Sequence, residues 1–262
     1  MRRYDDELEI IKWFQGYSLE DIIVADSKDK SSVLELLNFV LHSSLDDDWE
    51  DRSDKKSPPP DFVSAPNCIM MEVMMVDDRA FETEDHHIIN KTKSSESDLY
   101  KQVKSDSKLL NDSVFVAIGD SGLPYTEDHN YDRYLQNFKR VVNKHKGKID
   151  LYQKNNPDCN RLIFFIFDES TPYVYDKHRG RKRGLSDYVY TGLQLHRVYF
   201  DKSFLSVFDD PRIDCVIWFA PYKVYTLPDG SHIQFPPVYV FSGKHHRVGI
   251  KYNKSNVFSA EL

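Results

Sequence analysis

The residues best placed to do chemistry lie between Pro58 and Asp78, in the stretch Pro-Pro-Pro-Asp-Phe-Val-Ser-Ala-Pro-Asn-Cys-Ile-Met-Met-Glu-Val-Met-Met-Val-Asp-Asp. Asp61 stands at the mouth of one short strand and Glu72 in the middle of a second, strongly apolar one. A carboxylate in an apolar strand is costly unless it is paired, hydrogen-bonded or bound to a metal. Other groups invite comparison. Gly119-Asp120-Ser121-Gly122 follows an apolar run, and Asp-Ser-Gly is also a common turn sequence. Glu82, Glu84, Asp85, His86 and His87 gather potential ligands. Adjacent histidines on a strand face opposite ways, however, so a solvated loop explains them better; the same holds for His245-His246. Lys177, Arg179, Arg181, Lys182 and Arg183 form a basic run flanked by Tyr173, Tyr175, Tyr188 and Tyr190. That combination suits phosphate contact with base stacking, or equally a solvated surface loop.

These groups need elements to hold them. Leu8, Ile11 and Phe14 predict a helix over 4–16 that stops at Gly16. Val33, Leu36, Leu37, Val40 and Leu41 predict a second from Ser32 to Leu45, with Ser31-Ser32 as N-cap and Glu35 completing a capping box. Asp46 to Pro60 reads as a loop, and a hairpin follows, Phe62 to Ala65 and Cys68 to Val76, turning at Pro66-Asn67. An exposed helix is expected over 96–108, a strand at Val114 to Ile118 and a helix over Tyr131 to Lys146. Strands then follow at Leu162 to Phe167, Val216 to Phe219 and Val238 to Phe241. Strands alternating with helices imply an α/β fold, a central mixed sheet flanked by helices.

Composition sets the class. The chain has 262 residues, 40% of them hydrophobic and 29% charged, which suits a globular protein rather than a disordered one. No apolar run reaches the roughly 18 residues of a membrane span, and no signal-peptide pattern opens the sequence, so a soluble cytoplasmic protein with no membrane partner is expected. Three cysteines are too few and too scattered for a disulfide framework or a Cys-rich zinc site. The net charge of −7 argues against a surface built throughout for nucleic acid, although a local basic patch still acts within the short screening length. No phosphate-cradling glycine loop, dinucleotide fingerprint or kinase signature is present, which removes the commonest ATP- and NAD-dependent enzymes.

The element order, with Pro60-Asp61 on one strand and Glu72-Val73 on the next, resembles the PD-(D/E)xK superfamily of restriction-endonuclease-like folds over about residues 31–168. Met74 stands where that family has its lysine. The resemblance implies a restriction-endonuclease-like core, preceded by an N-terminal helical segment (1–30) and followed by a C-terminal α/β elaboration (169–262). It implies Asp61 and Glu72 as ligands for Mg²⁺ or Mn²⁺ and Glu35 as an auxiliary acid. Two such carboxylates hold a cation that polarises a scissile phosphate and helps make hydroxide from water. The lysine helps orient the nucleophile and offsets charge on the phosphate, which Met74 cannot do; Lys91, Lys93 and Lys139 are candidate replacements. Gly119 to Gly122 also resembles the nucleophile block of trypsin-like proteases, without their histidine block, and that of the SGNH/GDSL hydrolases, without their intermediate block; the latter resemblance implies Ser121 as nucleophile, His232 as base and Asp229 as its orienter. The leading expectation is a divergent metal-dependent nuclease-like protein, active or inactive, that binds or cleaves nucleic acid, with residues 177–183 contacting phosphate. A non-enzymatic binding or scaffold protein and a serine hydrolase using Ser121 are the alternatives.

Overall fold

The computed structural model describes residues 7–53, 57–79, 81–82, 88–89, 129–176, 193–226, 232–244 and 249–260. The elements in chain order are α1 (Glu7–Phe14), β1 (Ile22–Val24), α2 (Lys30–His42), β2 (Glu50–Asp51), β3 (Phe62–Ser64), β4 (Ile69–Val76), β5 (Phe81–Glu82) and β6 (Ile88–Ile89). After these come α3 (Tyr131–Lys146), α4 (Ile149–Asn155), β7 (Arg161–Asp168), β8 (Tyr173–Asp176), β9 (Leu193–Leu195) and α5 (Lys202–Leu205). The described chain closes with β10 (Cys215–Phe219), β11 (Val224–Thr226), β12 (His232–Gln234), β13 (Val238–Phe241) and β14 (Val257–Ser259).

The protein is α/β, built on a seven-stranded mixed sheet in the order β1-β13-β10-β7-β4-β3-β2. Strands β4, β7 and β10 run parallel, and β4 pairs with β7 over its full length from Ile69↔Arg161 to Val76↔Asp168. β13 is antiparallel to β10, and β3 is antiparallel to β4. The central strands are apolar on both sides because helices cover both faces of the sheet, as parallel sheets require. Side chains alternate accordingly. Met70, Met74, Leu162, Phe164, Ile166, Val216 and Trp218 enter one core with Tyr134, Phe138 and Val142 of α3. Ile69, Met71, Val73, Ile163, Phe165, Phe167, Ile217 and Phe219 enter the other, beneath Ile10, Ile11 and Phe14 of α1 and Val33, Leu36, Leu37, Val40 and Leu41 of α2.

Several expected elements are present: α3 spans the predicted residues, β3 and β4 form the hairpin, and β7, β10 and β13 are strands. Asn130 caps α3, its side chain accepting from Asp132 N and Arg133 N. α2 differs. It begins at Lys30 behind Asp29, so the Ser31-Ser32 capping box does not form. The Asp29 carboxylate instead accepts from Ser242 Oγ at 3.1 Å and ties α2 to the end of β13. The expected loop from Asp46 to Pro60 contains β2, which pairs antiparallel with β3. Its entry is fixed by the buried Trp49, whose indole donates to Ser43 Oγ at 2.7 Å. The sheet takes strands from all three expected segments, with β1 from the first and β10 and β13 from the last. The helix expected over 96–108 and the strand at Val114 to Ile118 lie outside the described residues. Among the described residues no helix is long and apolar enough to cross a membrane.

Candidate functional site

The β3–β4 register brings the two expected carboxylates together. Phe62 pairs with Met71, so the next residues outward, Asp61 and Glu72, stand opposite each other on adjacent antiparallel strands. The Val73 amide donates to Asp61 Oδ2 at 2.8 Å, which fixes Asp61 against β4. Glu72 alternates with Met70 and Met74 and therefore points to the α3 side of the sheet, where it is 2% exposed. Two helices meet it there. His145, in the last turn of α3, places Nδ1 2.5 Å from Glu72 Oε1. Tyr152 of α4 is fully buried. Glu72 Oε2 and Tyr152 Oη are both buried without a hydrogen bond of ordinary geometry among the described residues, but the two groups are close enough for the Glu72 carboxylate to act on the Tyr152 phenol as its acceptor.

The electrostatics agree with this geometry. Burial and the facing Glu72 charge push the Asp61 carboxyl up to about 7, against the opposing pull of the Val73 amide and Lys148. Burial, followed by Glu72 and Asp61, raises the Tyr152 phenol, which stays neutral and available as a donor. Like charges directly opposed across two strands are destabilising, and the arrangement persists because the apolar pattern of β4 fixes its register.

The donors are hard carboxylate oxygens, and two of them suit Mg²⁺ or Mn²⁺, which keep several waters and take one or two carboxylates. Among the described residues no group of three or more His, Cys, Asp or Glu surrounds one point, so a bound cation would complete its shell from water or substrate oxygen. Glu35 is not part of this place. It lies on α2, which packs on the opposite face of the sheet, and its exposed carboxylate accepts from Arg161 Nη1 at 2.5 Å. Met74 is 1% exposed and fills the core beside α3. Among the described residues, Lys148, immediately before α4, places a positive charge that acts on Asp61. Lys148 was not among the lysines selected from sequence, because only the α3–α4 turn carries it to the pair. Lys139 lies within α3. Lys91, Lys93, Ser121, Asp229, the basic residues Lys177, Arg179, Arg181, Lys182 and Arg183, and the His86-His87 and His245-His246 pairs are outside the described residues. His232 begins β12 and is exposed.

A second polar group escaped the sequence reading. Parallel strands β4, β7 and β10 direct their C-terminal ends to one region, the usual place for ligands in α/β sheets. There Lys223, 3% exposed, donates to Thr171 O at 2.9 Å, bonds Ser170 Oγ, and lies 3.7 Å from Asp168 Oδ2. Asp168 Oδ2 also accepts from Tyr134 Oη at 2.5 Å and Trp218 Nε1 at 2.9 Å, while Oδ1 accepts from Ser170 N and Oγ. Asp78 Oδ2 accepts from Thr171 Oγ1 at 2.8 Å and Tyr173 Oη at 2.9 Å, with His129 Nδ1 at 3.3 Å. Burial would raise the Asp78 carboxyl, but His129, Lys223 and Thr171 hold it below the usual range. Burial depresses the Lys223 ammonium against the pull of Asp168 and Asp78. Ser170 is fully buried, and its hydroxyl is committed to Asp168 and Lys223. The network therefore ties the strand ends together. Its sequence signal was the appearance of Asp78, Asp168 and Ser170 directly after apolar strands.

No family model, curated protein or solved structure matches this chain.

Two outcomes follow from the two groups. The folded Asp61 carboxyl titrates at about 7 against 3.8 for the ordinary group. The folded chain thus retains a proton that the unfolded chain gives up, so the associated stability is fully present below the lower value and is lost as pH rises through the upper one. Asp61→Asn is expected to match wild type in urea unfolding near pH 4 and to exceed it by roughly 2–4 kcal/mol near pH 8. Lys223→Met is expected to cost about 3–5 kcal/mol in the same assay, because it leaves Asp168 and Asp78 buried without their shared cation.

Proposed function

We propose that this chain is a divergent nuclease-like protein that holds Mg²⁺ or Mn²⁺ between Asp61 and Glu72 and acts on nucleic acid. The observation that carries the reading is the cross-strand pair itself: two facing carboxylates, with burial and the Glu72 charge raising Asp61 to about 7. A bound cation supplies charge that polarises a phosphate and lowers the pKa of a coordinated water.

The protein's own residues have separable roles in this reading. Asp61 and Glu72 bind. His145 orients Glu72 by holding Oε1 and leaving Oε2 to face inward. Tyr152 stays neutral and can donate to an oxygen brought beside Glu72. Lys148 supplies positive charge at Asp61, which Met74 cannot do from within the core. The basic residues 177–183 would contact the phosphate backbone away from the pair. The burial of Met74 at the motif position favours a second reading, in which the pair binds cation and nucleic acid without cutting.

Calorimetric titration of Mn²⁺ into wild type and Glu72→Gln separates these possibilities. Wild type is expected to bind and to release up to about one proton near neutral pH, because Asp61 must ionise to bind. Glu72→Gln is expected to bind at least ~100-fold more weakly, the loss of a direct ligand exceeding that of a supporting residue. Absence of binding by wild type removes the cation reading. With binding established, incubation with single- and double-stranded DNA and RNA distinguishes cutting from binding alone.

A further inference from the structure

We propose that the cavity between α3, α5 and residues 251–254 binds a nucleoside monophosphate, at a place separate from the carboxylate pair. The cavity has a volume of about 510 Å³ and is lined by Tyr131 and Leu135 of α3, Ser203 of α5 and the run from Lys251 to Lys254. That volume lies within the range of small-ligand sites, about 300–1,000 Å³. Its walls are fixed from behind. Ile250 bridges to Asp201, and the Lys202 amide donates to Ile250 O at 2.9 Å. Gly249 permits that approach, since a Cβ there would stand 2.6 Å from Lys202 N. Asp201 caps α5 by accepting from Ser203 N at 2.8 Å. Its Oδ2 also accepts from Tyr131 Oη at 2.5 Å and meets His196 Nε2 at 2.7 Å. Asp201 thus joins α3 to α5 and sets their spacing.

The lining has two chemical parts. Its floor is aromatic. Tyr131 is 5% exposed and commits its hydroxyl to Asp201, so what it offers the cavity is ring surface. Tyr252 is half-buried, and edge-on contacts with His196 and Tyr175, at centroid distances of 4.6 and 5.1 Å, set its ring plane. The rim is made of donors. Lys251 is exposed and has no ion-pair partner among the described residues. Lys254 shares its charge with Asp132 at 3.2 Å, so Lys251 supplies the uncompensated cation. Asn253 Oδ1 accepts from Ser255 N and Oγ, which leaves its amide nitrogen to donate outward. Aromatic walls take the face of a base with little regard to its identity, and ammonium and amide donors take a phosphate. A ligand that satisfies both parts carries a flat ring and an acceptor-rich anion, as a nucleoside monophosphate does. Tyr131 and His145 stand at opposite ends of α3, about 21 Å apart at about 1.5 Å per residue, so this site needs no cation at Glu72.

Calorimetric titration of adenosine monophosphate into the full chain in EDTA tests the proposal, with adenosine and inorganic phosphate as partial ligands. The monophosphate is expected to bind at least ~10-fold more tightly than either part, because floor and rim then act together. Lys251→Glu, a change at an exposed position, is expected to weaken it at least ~10-fold, the loss of one charge-assisted hydrogen bond. Tyr252→Ala is expected to weaken it by roughly 5- to 100-fold through lost stacking. Glu72→Gln is expected to bind it as wild type does, which separates this site from the carboxylate pair. Displacement of the monophosphate by a 5′-phosphorylated single-stranded oligonucleotide would support the site as one for a strand end; failure to displace it would support a site for free nucleotide. No binding by wild type, equal affinity for phosphate or adenosine alone, undiminished binding by Lys251→Glu, or loss of binding in Glu72→Gln would each overturn the proposal.

Discussion

The antiparallel register of β3 on β4 sets two carboxylates opposite each other within a hydrophobic sheet. Every neighbouring element adapts to that repulsion. The Val73 amide holds Asp61, the last turn of α3 brings His145 to Glu72, and α4 sets Tyr152 beneath both. The pair cannot separate by slipping, because a one-residue shift of β4 would turn Ile69, Met71 and Val73 out of one core and Met70 and Met74 out of the other. Charge is confined where apolar packing dictates, and the cost appears as the proton that Asp61 retains toward neutrality.

The eight-residue ladder between β4 and β7 supplies the rigidity for this arrangement. Both strands are buried on both faces, and polar groups of different character stand at the C-terminal end of the ladder and midway along β4. At the C-terminal end, Asp168, Ser170 and Lys223 bond one another, and Asp78 Oδ2 accepts from Thr171 and Tyr173 while its Oδ1 is buried without a partner among the described residues. Midway along β4, Glu72 faces Asp61 of the neighbouring chain segment. The first group joins a cation to its carboxylates; the second sets two carboxylates against each other, and the raised Asp61 carboxyl is the consequence.

The sequence disclosed the elements whose signal is local. α3 carries a long amphipathic stripe, and β7 and β13 are unbroken apolar runs, so their existence follows from periodicity. The hairpin and the Asp61–Glu72 juxtaposition were legible because loop length and pattern together fix that register. What stayed hidden depends on contacts between distant residues. β1 and β14 are only three residues long and exist by pairing with β13 and β8. The Ser31-Ser32 cap failed because Asp29, drawn toward Ser242 from the far end of the chain, took the N-cap position. Glu35 seemed a natural third acid on the helix before the hairpin, yet α2 covers the opposite face, which spacing along one helix cannot reveal. His145, Lys148 and Tyr152 were invisible for the same reason: the α3–α4 turn delivers them from more than seventy residues away.

Asp61 and Glu72 share one electrostatic site, the proposed place of a divalent cation. The most direct measurement is a carbon-detected NMR titration of the Asp61 side-chain carboxyl with and without Mg²⁺. A midpoint of about 7 is expected without cation and a lower midpoint when Mg²⁺ is added. A midpoint in the ordinary Asp range, about 4, unmoved by Mg²⁺, would contradict this assignment.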